Sequence, residues 1–435
     1  MLGTLLCSKP GSLAIPLRAL EQHVWPIEMK SEARRALVIG GSMSGLFSAL
    51  YLRRRGWDVD VYERSPVALT GRGAGIMTHP ELRTALGELG LDTARDFGVP
   101  IEGRLVLDAE GNVVARKSFP QIATSWNRLF EMLMGAIGNG RYHQGKDAQR
   151  VSQDAAAVTV HFADGTSQTA DLLIGADGFR SAVRAQFLPQ AQPQYAGYVA
   201  WRGLADERAV AGVLTQEVFE RLSFALPPGE QFLGYPVAGP GNDLRSGERS
   251  WNVVWYRPAE TAEDVRRLLT DETGKLHELS IPPPLVSRAV VAEMRDAAER
   301  LLAPQFRDAL RLIEQPFLQP IYDLESSQMA FGRVALAGDA AFVVRPHVGG
   351  GVVKAAQDAD ALAEALDRHG TVEAGLRAYE GERLDVGRRY VVQARRLGSY
   401  LKYRFADDEE RTRAAFHGQP EQVLAETAML DFMHG

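Results

Sequence analysis

Three glycine-centred clusters hold the residues whose types and spacing best suit chemistry. The first reads Gly40-Gly41-Ser42-Met43-Ser44-Gly45, with Glu63 placed 18 residues beyond Gly45. Glycine at 40 permits a tight turn, and glycine at 45 lets a helix approach a strand. The free N–H groups and positive dipole end of that helix suit a pyrophosphate. An acid ending the next strand can accept hydrogen bonds from a ribose hydroxyl. Ser42 stands where the usual fingerprint has glycine. The motif points to a dinucleotide without choosing NAD or FAD. The second cluster, Asp171 to Arg184, reads DLLIGADGFRSAVR and runs a strand into Gly175-Ala176-Asp177-Gly178 and then a helix. The third is Gly338-Asp339-Ala340-Ala341, followed by Pro346 and Gly349-Gly350-Gly351. Its acid can bind a sugar hydroxyl, and its glycines open a helix whose N–H groups can face an anion.

These clusters need elements to position them. Ala36 to Ile39 is a short apolar strand, Leu46 to Arg55 is helical, and Val59 to Tyr62 is a second strand, which together make a βαβ unit. Leu105–Asp108 and Val113–Arg116 flank a turn, Trp126 to Ile137 is helical, and Val158–Val160 enters another hairpin. Between Tyr195 and Pro320 short β runs appear, with charged helices over Glu263–Leu269 and Val290–Leu302. Val334 to Ala337 returns to the buried-strand style, a helix spans Val352 to Leu366, and a charged helical region covers Val372 to Arg404. The expected fold is α/β: a Rossmann-like nucleotide-binding domain interleaved with a β-sheet substrate domain, plus C-terminal helices. The expected boundaries are a flexible extension over 1–33, nucleotide-binding segments at 34–98, 121–190 and 323–368, a substrate-domain hairpin at 99–120, the substrate domain proper at 191–322 and a helical region at 369–435.

Composition narrows the function. The 435 residues carry 45% hydrophobic and 24% charged residues, ordinary for a globular protein. A net charge of −6 disfavours a nucleic-acid partner. No apolar run is long enough for a membrane helix. Cys7 is the sole cysteine, so an intramolecular disulfide and a cysteine-based metal site are excluded, and no metal is expected. Leu5-Leu6-Cys7 is cut by Ser8-Lys9-Pro10, which argues against a secretory signal and for a cytoplasmic protein; Met29 is an alternative start.

The order of the three motifs is similar to that of the FAD-dependent aromatic hydroxylases, the group A flavoprotein monooxygenases with the para-hydroxybenzoate hydroxylase fold. The resemblance runs from about Arg34 to Leu366. Its details resemble the dihydroxypyridine-hydroxylase branch: Gly40-Gly41-Ser42, Arg72-Gly73-Ala74-Gly75-Ile76, Tyr198 to Gly203, Tyr235-Pro236-Val237, Trp251 to Tyr256, and Arg345-Pro346-His347 with Lys354. Departures are Phe342 where many members have His, Val353 where many have Asn, and Ser125-Trp126 for a common Ser-Arg.

The resemblance implies that NADH or NADPH reduces FAD and that O₂ adds at flavin C4a. The resulting hydroperoxide hydroxylates an electron-rich phenolic or hydroxypyridine-like ring. It implies an FAD set of Gly40, Ser42, Met43, Ser44, Gly45, Glu63, Arg64, Arg72, Gly75, Ile76, Asp177, Gly178, Gly338, Asp339, Gly349, Gly350, Gly351 and Val352, with Asp177 and its glycines also serving NAD(P)H. It also implies a homodimer. Pro346, His347 and His79 are the catalytic candidates, and Tyr198, Arg202 and Tyr235 the substrate-binding ones. Each has a bland reading: backbone-bonded loop histidines, a paired structural arginine at 202, sheet core at Tyr235 and Trp255. No single base emerges. A halogenase, a prenyl-lipid reductase, an NAD dehydrogenase and a non-catalytic FAD-binding relative are the alternatives. The halogenase Trp-x-Trp spacing fails, because three residues separate Trp251 from Trp255.

Overall fold

A computed structural model describes residues 34–69 and 75–433. The expected extension over 1–33, Arg72 and His434 lie outside the described residues. The described residues belong to one compact unit.

The apolar run after Arg34 forms the strand Arg35–Ile39, whose register brings Val38 beside Val61 of strand Asp58–Glu63 and beside Ile174 of strand Leu172–Gly175. Strand Val334–Leu336 continues the parallel set, and Tyr142–Gln144 and Ala330–Phe331 complete a six-stranded sheet. Its central strands are buried on both faces, which is why they read as unbroken apolar runs. Helix Met43–Arg54 packs against helix Gly351–Arg368 on this sheet. A three-stranded sheet from Ala148–Gln153, Val158–Phe162 and Ser167–Ala170 stands apart in pairing.

The second large sheet has nine strands in the described residues, from Phe342–Val343 at one edge to Gly75–Met77 at the other. Its sequence alternates with period two, so its faces differ in kind. Trp201, Trp251, Val253 and Trp255 pack with Phe306 and the helices Arg288–Leu301 and Pro304–Arg311. Tyr198, Val254, Tyr256 and Tyr235 belong to the opposite face. Trp201 pairs with Trp255 and Arg202 with Val254, so a one-residue slip would exchange a core tryptophan for an arginine.

Two expectations are corrected in extent. The hairpin around Asp108–Asn112 continues through Val99–Leu107 and Val113–Ser125, because apolar alternation persists beyond the turn. The helix from Val372 ends at Leu397 with Gly398 as its cap rather than reaching Arg404. Short helices Asp408–His417 and Pro420–Glu426 follow. Among the described residues, no helix is long and apolar enough to cross a membrane.

Candidate active site

Two adjoining cavities, of about 380 and 340 Å³, share Ser42, Trp126, Ala176 and Gly178 in their walls. The smaller is bounded by Gly40, Gly41, Glu63, Arg64, Asp177 and Arg180. Close approach is built into this end. Gly40 has φ +106°, and a Cβ there would lie 2.2 Å from the Ala176 carbonyl oxygen. A Cβ on Gly45 would lie 1.8 Å from the Gly40 carbonyl oxygen, so the helix starts where only glycine fits. The Glu63 carboxylate accepts hydrogen bonds from the Gly41 N–H at 2.9 Å and the Ser65 N–H at 2.8 Å. Asp177 accepts from Ser181 Oγ at 2.5 Å and from the Ala182 N–H at 2.7 Å, so its side chain is spent on the start of helix Ala182–Phe187. Its burial raises its carboxyl above the ordinary range.

The Gly338-Asp339 turn rests on a buried ionic cluster. Lys354 Nζ donates to Asp358 Oδ2 at 2.6 Å and Arg383 Nε to Asp358 Oδ1 at 2.9 Å. Asp358 also accepts from the Gly338 N–H at 3.3 Å. Burial alone would raise Asp358, but the two cations outweigh it and hold the carboxyl below its usual range. Arg184, itself buried, donates to the carbonyls of Phe179 at 2.7 Å and Ala340 at 3.1 Å, which ties the second glycine motif to the third. Asp339 faces the larger cavity and has no hydrogen-bond partner among the described residues. Crowding by surrounding protein desolvates it and raises its carboxyl. Ser44 Oγ is buried, again with no partner in the described residues.

Across the larger cavity, the nine-stranded sheet contributes Met77, Arg202, Leu222, Leu233, Tyr235, Val254 and Tyr256. His347 belongs to the turn Pro346–Val348 and is 3% exposed. Its Nε2 shares a 2.7 Å hydrogen bond with Tyr198 Oη, and Tyr256 packs on it with ring centroids 4.4 Å apart. Burial, helped by the nearby Arg345 and Arg202 charges, pushes the imidazole down to about 3. It is therefore neutral at physiological pH. Arg345 is ion-paired with Asp323 at 2.7 Å. Arg202 has no carboxylate partner and donates no hydrogen bond among the described residues, which departs from the paired structural arginine expected of it. Tyr235 Oη donates to the Gly75 carbonyl at 2.8 Å, so it both lines the cavity and holds the Gly75 turn.

The remaining expected residues fall as follows. Met43, Ser44, Ile76, Pro346, Gly349, Gly351 and Val352 line the larger cavity. Gly45, Gly338 and Gly350 are buried and do not line it. Tyr198 stands behind His347. His79 does not line the cavity; its Nε2 lies 3.1 Å from the carbonyl oxygen of Gly349, whose φ of +64° needs glycine. His79 is thus a positioning group for that loop, and burial lowers its pKa. Phe342 and Val353 are buried in the core and line neither cavity. Sequence reasoning missed Tyr256, whose signal was its even register with Val254, and missed Asp358, Arg383, Thr427 and Ala428.

Comparison with known proteins now gives this arrangement its class. Family models described as FAD binding domain-like and FAD binding domain match residues 195–323 and 320–394. The chain is 34% identical over 380 residues to 2,6-dihydroxypyridine 3-monooxygenase of Paenarthrobacter nicotinovorans, covering 86% of this chain and 93% of that protein. It matches the structure of 2,6-dihydroxypyridine-3-hydroxylase from Arthrobacter nicotinovorans with TM-score 0.78 and 33% identity, over 86% of this chain and 95% of that one. A Klebsiella pneumoniae protein complexed with FAD and uric acid aligns with TM-score 0.70 and 26% identity, over 92% and 95% of the two chains. The chain belongs to the FAD-dependent aromatic monooxygenases.

The residues present fit FAD. Gly40 and Gly45 leave no room for a side chain, Ser44 Oγ and the Asp339 carboxylate have no hydrogen-bond partner among the described residues, and the two cavities join along Ser42 and Gly178. A dinucleotide lying along them would meet Glu63 at its adenosine end and Gly349–Val352 at its flavin end. NAD(P)H serves as the reductant in this family.

Proposed function

We propose that this monooxygenase hydroxylates a small N-heteroaromatic ring that carries ionisable hydroxyl groups, as in the dihydroxypyridines. The carrying observation is Arg202: a guanidinium without an ion-pair partner among the described residues, in a cavity whose sheet wall is Leu222, Leu233, Val254, Tyr235 and Tyr256 and whose other walls include Asp339, His347 and Thr427. A half-buried guanidinium facing a cavity without an ion-pair partner is a ready site for an anion. A deprotonated ring hydroxyl supplies that anion and is also what makes a ring carbon electron-rich. The similarity to 2,6-dihydroxypyridine 3-monooxygenase supports the ring class.

Bound FAD supplies reducing equivalents from NAD(P)H and activates O₂. The protein's own residues do the rest. Arg202 holds the ring oxygen anion and favours its ionised form. His347, kept neutral by burial and anchored by Tyr198, gives the cavity an uncharged imidazole that can hydrogen-bond the ring without taking its proton. N–H groups at the start of helix Gly351–Arg368 face the flavin end and stabilise negative charge there. The apolar face of the sheet keeps water out, which protects the oxygenating species from unproductive decay.

The test is NADH oxidation by the purified holoenzyme with a panel of hydroxypyridines and phenols, assaying H₂O₂ and product mass together. The expected result is acceleration by a hydroxypyridine, little H₂O₂, and a product heavier by one oxygen. Acceleration only by carbocyclic phenols, or by no ring, refutes the proposal.

A further inference from the structure

The larger cavity has a third wall that comes from neither sheet. Thr427 and Ala428, from the segment after helix Pro420–Glu426, line it together with Arg202 and His347. This segment is tied on both sides. From the nine-stranded sheet, Arg104 reaches it while only 1% exposed. Arg104 Nη1 donates to the carbonyls of Leu424 at 3.1 Å and Thr427 at 2.5 Å, and Nη2 to Ala428 O at 3.3 Å and Gln121 Oε1 at 2.7 Å. No carboxylate neutralises Arg104 among the described residues, and burial lowers its guanidinium to about 10. Its partners are the open carbonyls of a helix C-terminus, where a cation suits the dipole. From the flavin side, the Ala428 N–H donates to His347 O at 2.7 Å, and Ala428 sits at φ +51°. A non-glycine residue keeps that conformation only where its surroundings impose it. A Cβ on Gly349 would lie 2.7 Å from the Ala428 Cβ, so the two backbones are already in close approach. The Thr427 hydroxyl has no hydrogen-bond partner among the described residues.

We infer that Thr427 is a substrate-contacting residue that reads a second polar substituent on the ring, beyond the one that Arg202 neutralises, and that Arg104 is the positioning residue that holds it there. The inference rests on the ring-hydroxylase reading above. Thr427 acts as a specificity determinant because its hydroxyl can pair with a ring oxygen or ring N–H, while a ring lacking that group leaves the hydroxyl unsatisfied. Arg104 acts through the backbone of residues 424–428.

The experiment titrates the FAD-loaded full chain with 2,6-dihydroxypyridine and with 2-hydroxypyridine, reading Kd from the perturbation of flavin absorbance. The wild type is expected to prefer the two-oxygen ring. Thr427→Val should reduce that preference about tenfold, Thr427→Ser should restore it, and flavin content should not change. Arg104→Lys, which keeps the charge but loses the fork, should move the preference in the same direction and raise KM more than it lowers kcat. A preference unchanged within twofold in Thr427→Val overturns the contact role. A lower melting temperature in Arg104→Lys with an unchanged preference overturns the positioning role. No response of the wild type to either ring removes the ring reading itself, and that outcome is seen without any variant.

Discussion

Behind the Gly338-Asp339 turn, Lys354 and Arg383 meet Asp358 at 2.6 and 2.9 Å, so two cations share one buried carboxylate. On the sheet side of the cavity that Asp339 also lines, Arg202 stands among tyrosines and aliphatic side chains and makes no ion pair among the described residues. Both regions hold cations against the cofactor and substrate space, yet only the first meets a carboxylate of the protein. A closed ionic cluster fixes backbone: it anchors the turn that carries Asp339 and the helix that begins at Gly351. An open cation fixes nothing within the protein, and its partner is left to a ligand. The contrast separates residues that shape the cofactor's bed from those that choose what lies on it.

The contrast can be broken by mutation, and the largest effect is expected on the closed side. Asp358→Asn removes the one carboxylate that Lys354 and Arg383 share, leaves two buried cations without an anion and should cost about 3–5 kcal/mol. Denaturant unfolding should show that loss, and the purified protein should carry less FAD. Glu63→Ala comes next. It strips the acceptor from the Gly41 and Ser65 N–H groups and from the adenosine end, and should weaken FAD retention by about 1–3 kcal/mol. Ultrafiltration of the holoenzyme with absorbance at the flavin band measures it.

The smallest effect sharpens the picture of His347. Its folded pKa of about 3 lies below the unfolded value near 6.5. Above pH 6.5 both states are neutral and the group has no effect on stability. As pH falls from 6.5 towards 3, the unfolded chain takes up a proton that the folded one refuses, so stability drops across that window. Melting temperatures at pH 7.5 and 5 should differ less in His347→Gln than in the wild type.

Much of the cofactor side was legible because backbone constraints write themselves into residue type. Only glycine tolerates the approach at Gly40 and Gly45 or the left-handed turn at Gly349, so the turns appear in the sequence as glycines at fixed offsets. The parallel strands appear as apolar runs for the same reason of burial. The cluster behind Asp339 left no such trace. Asp358 looks like any polar residue four positions after a lysine, and Arg383 joins it from another helix. The substrate wall was half legible: the period-two pattern marked strands, but the face that Arg202 occupies depends on pairing with Val254. His79 was read for its chemistry, whereas its ring serves the Gly349 carbonyl. Thr427 lies after a short helix far along the chain, and only the tertiary contact with Arg104 brings it to the cavity.

The central claim, that an open cation selects the substrate while a closed cluster builds the cofactor site, is tested most directly by one binding measurement on the holoenzyme. The Kd of 2,6-dihydroxypyridine should be compared between the wild type and Arg202→Met by flavin absorbance, with FAD content measured in parallel. The account predicts binding weaker by about 10- to 100-fold, the worth of a charge-assisted hydrogen bond, with FAD content unchanged. An unchanged Kd, or a loss of FAD equal to the loss of ring binding, would contradict it.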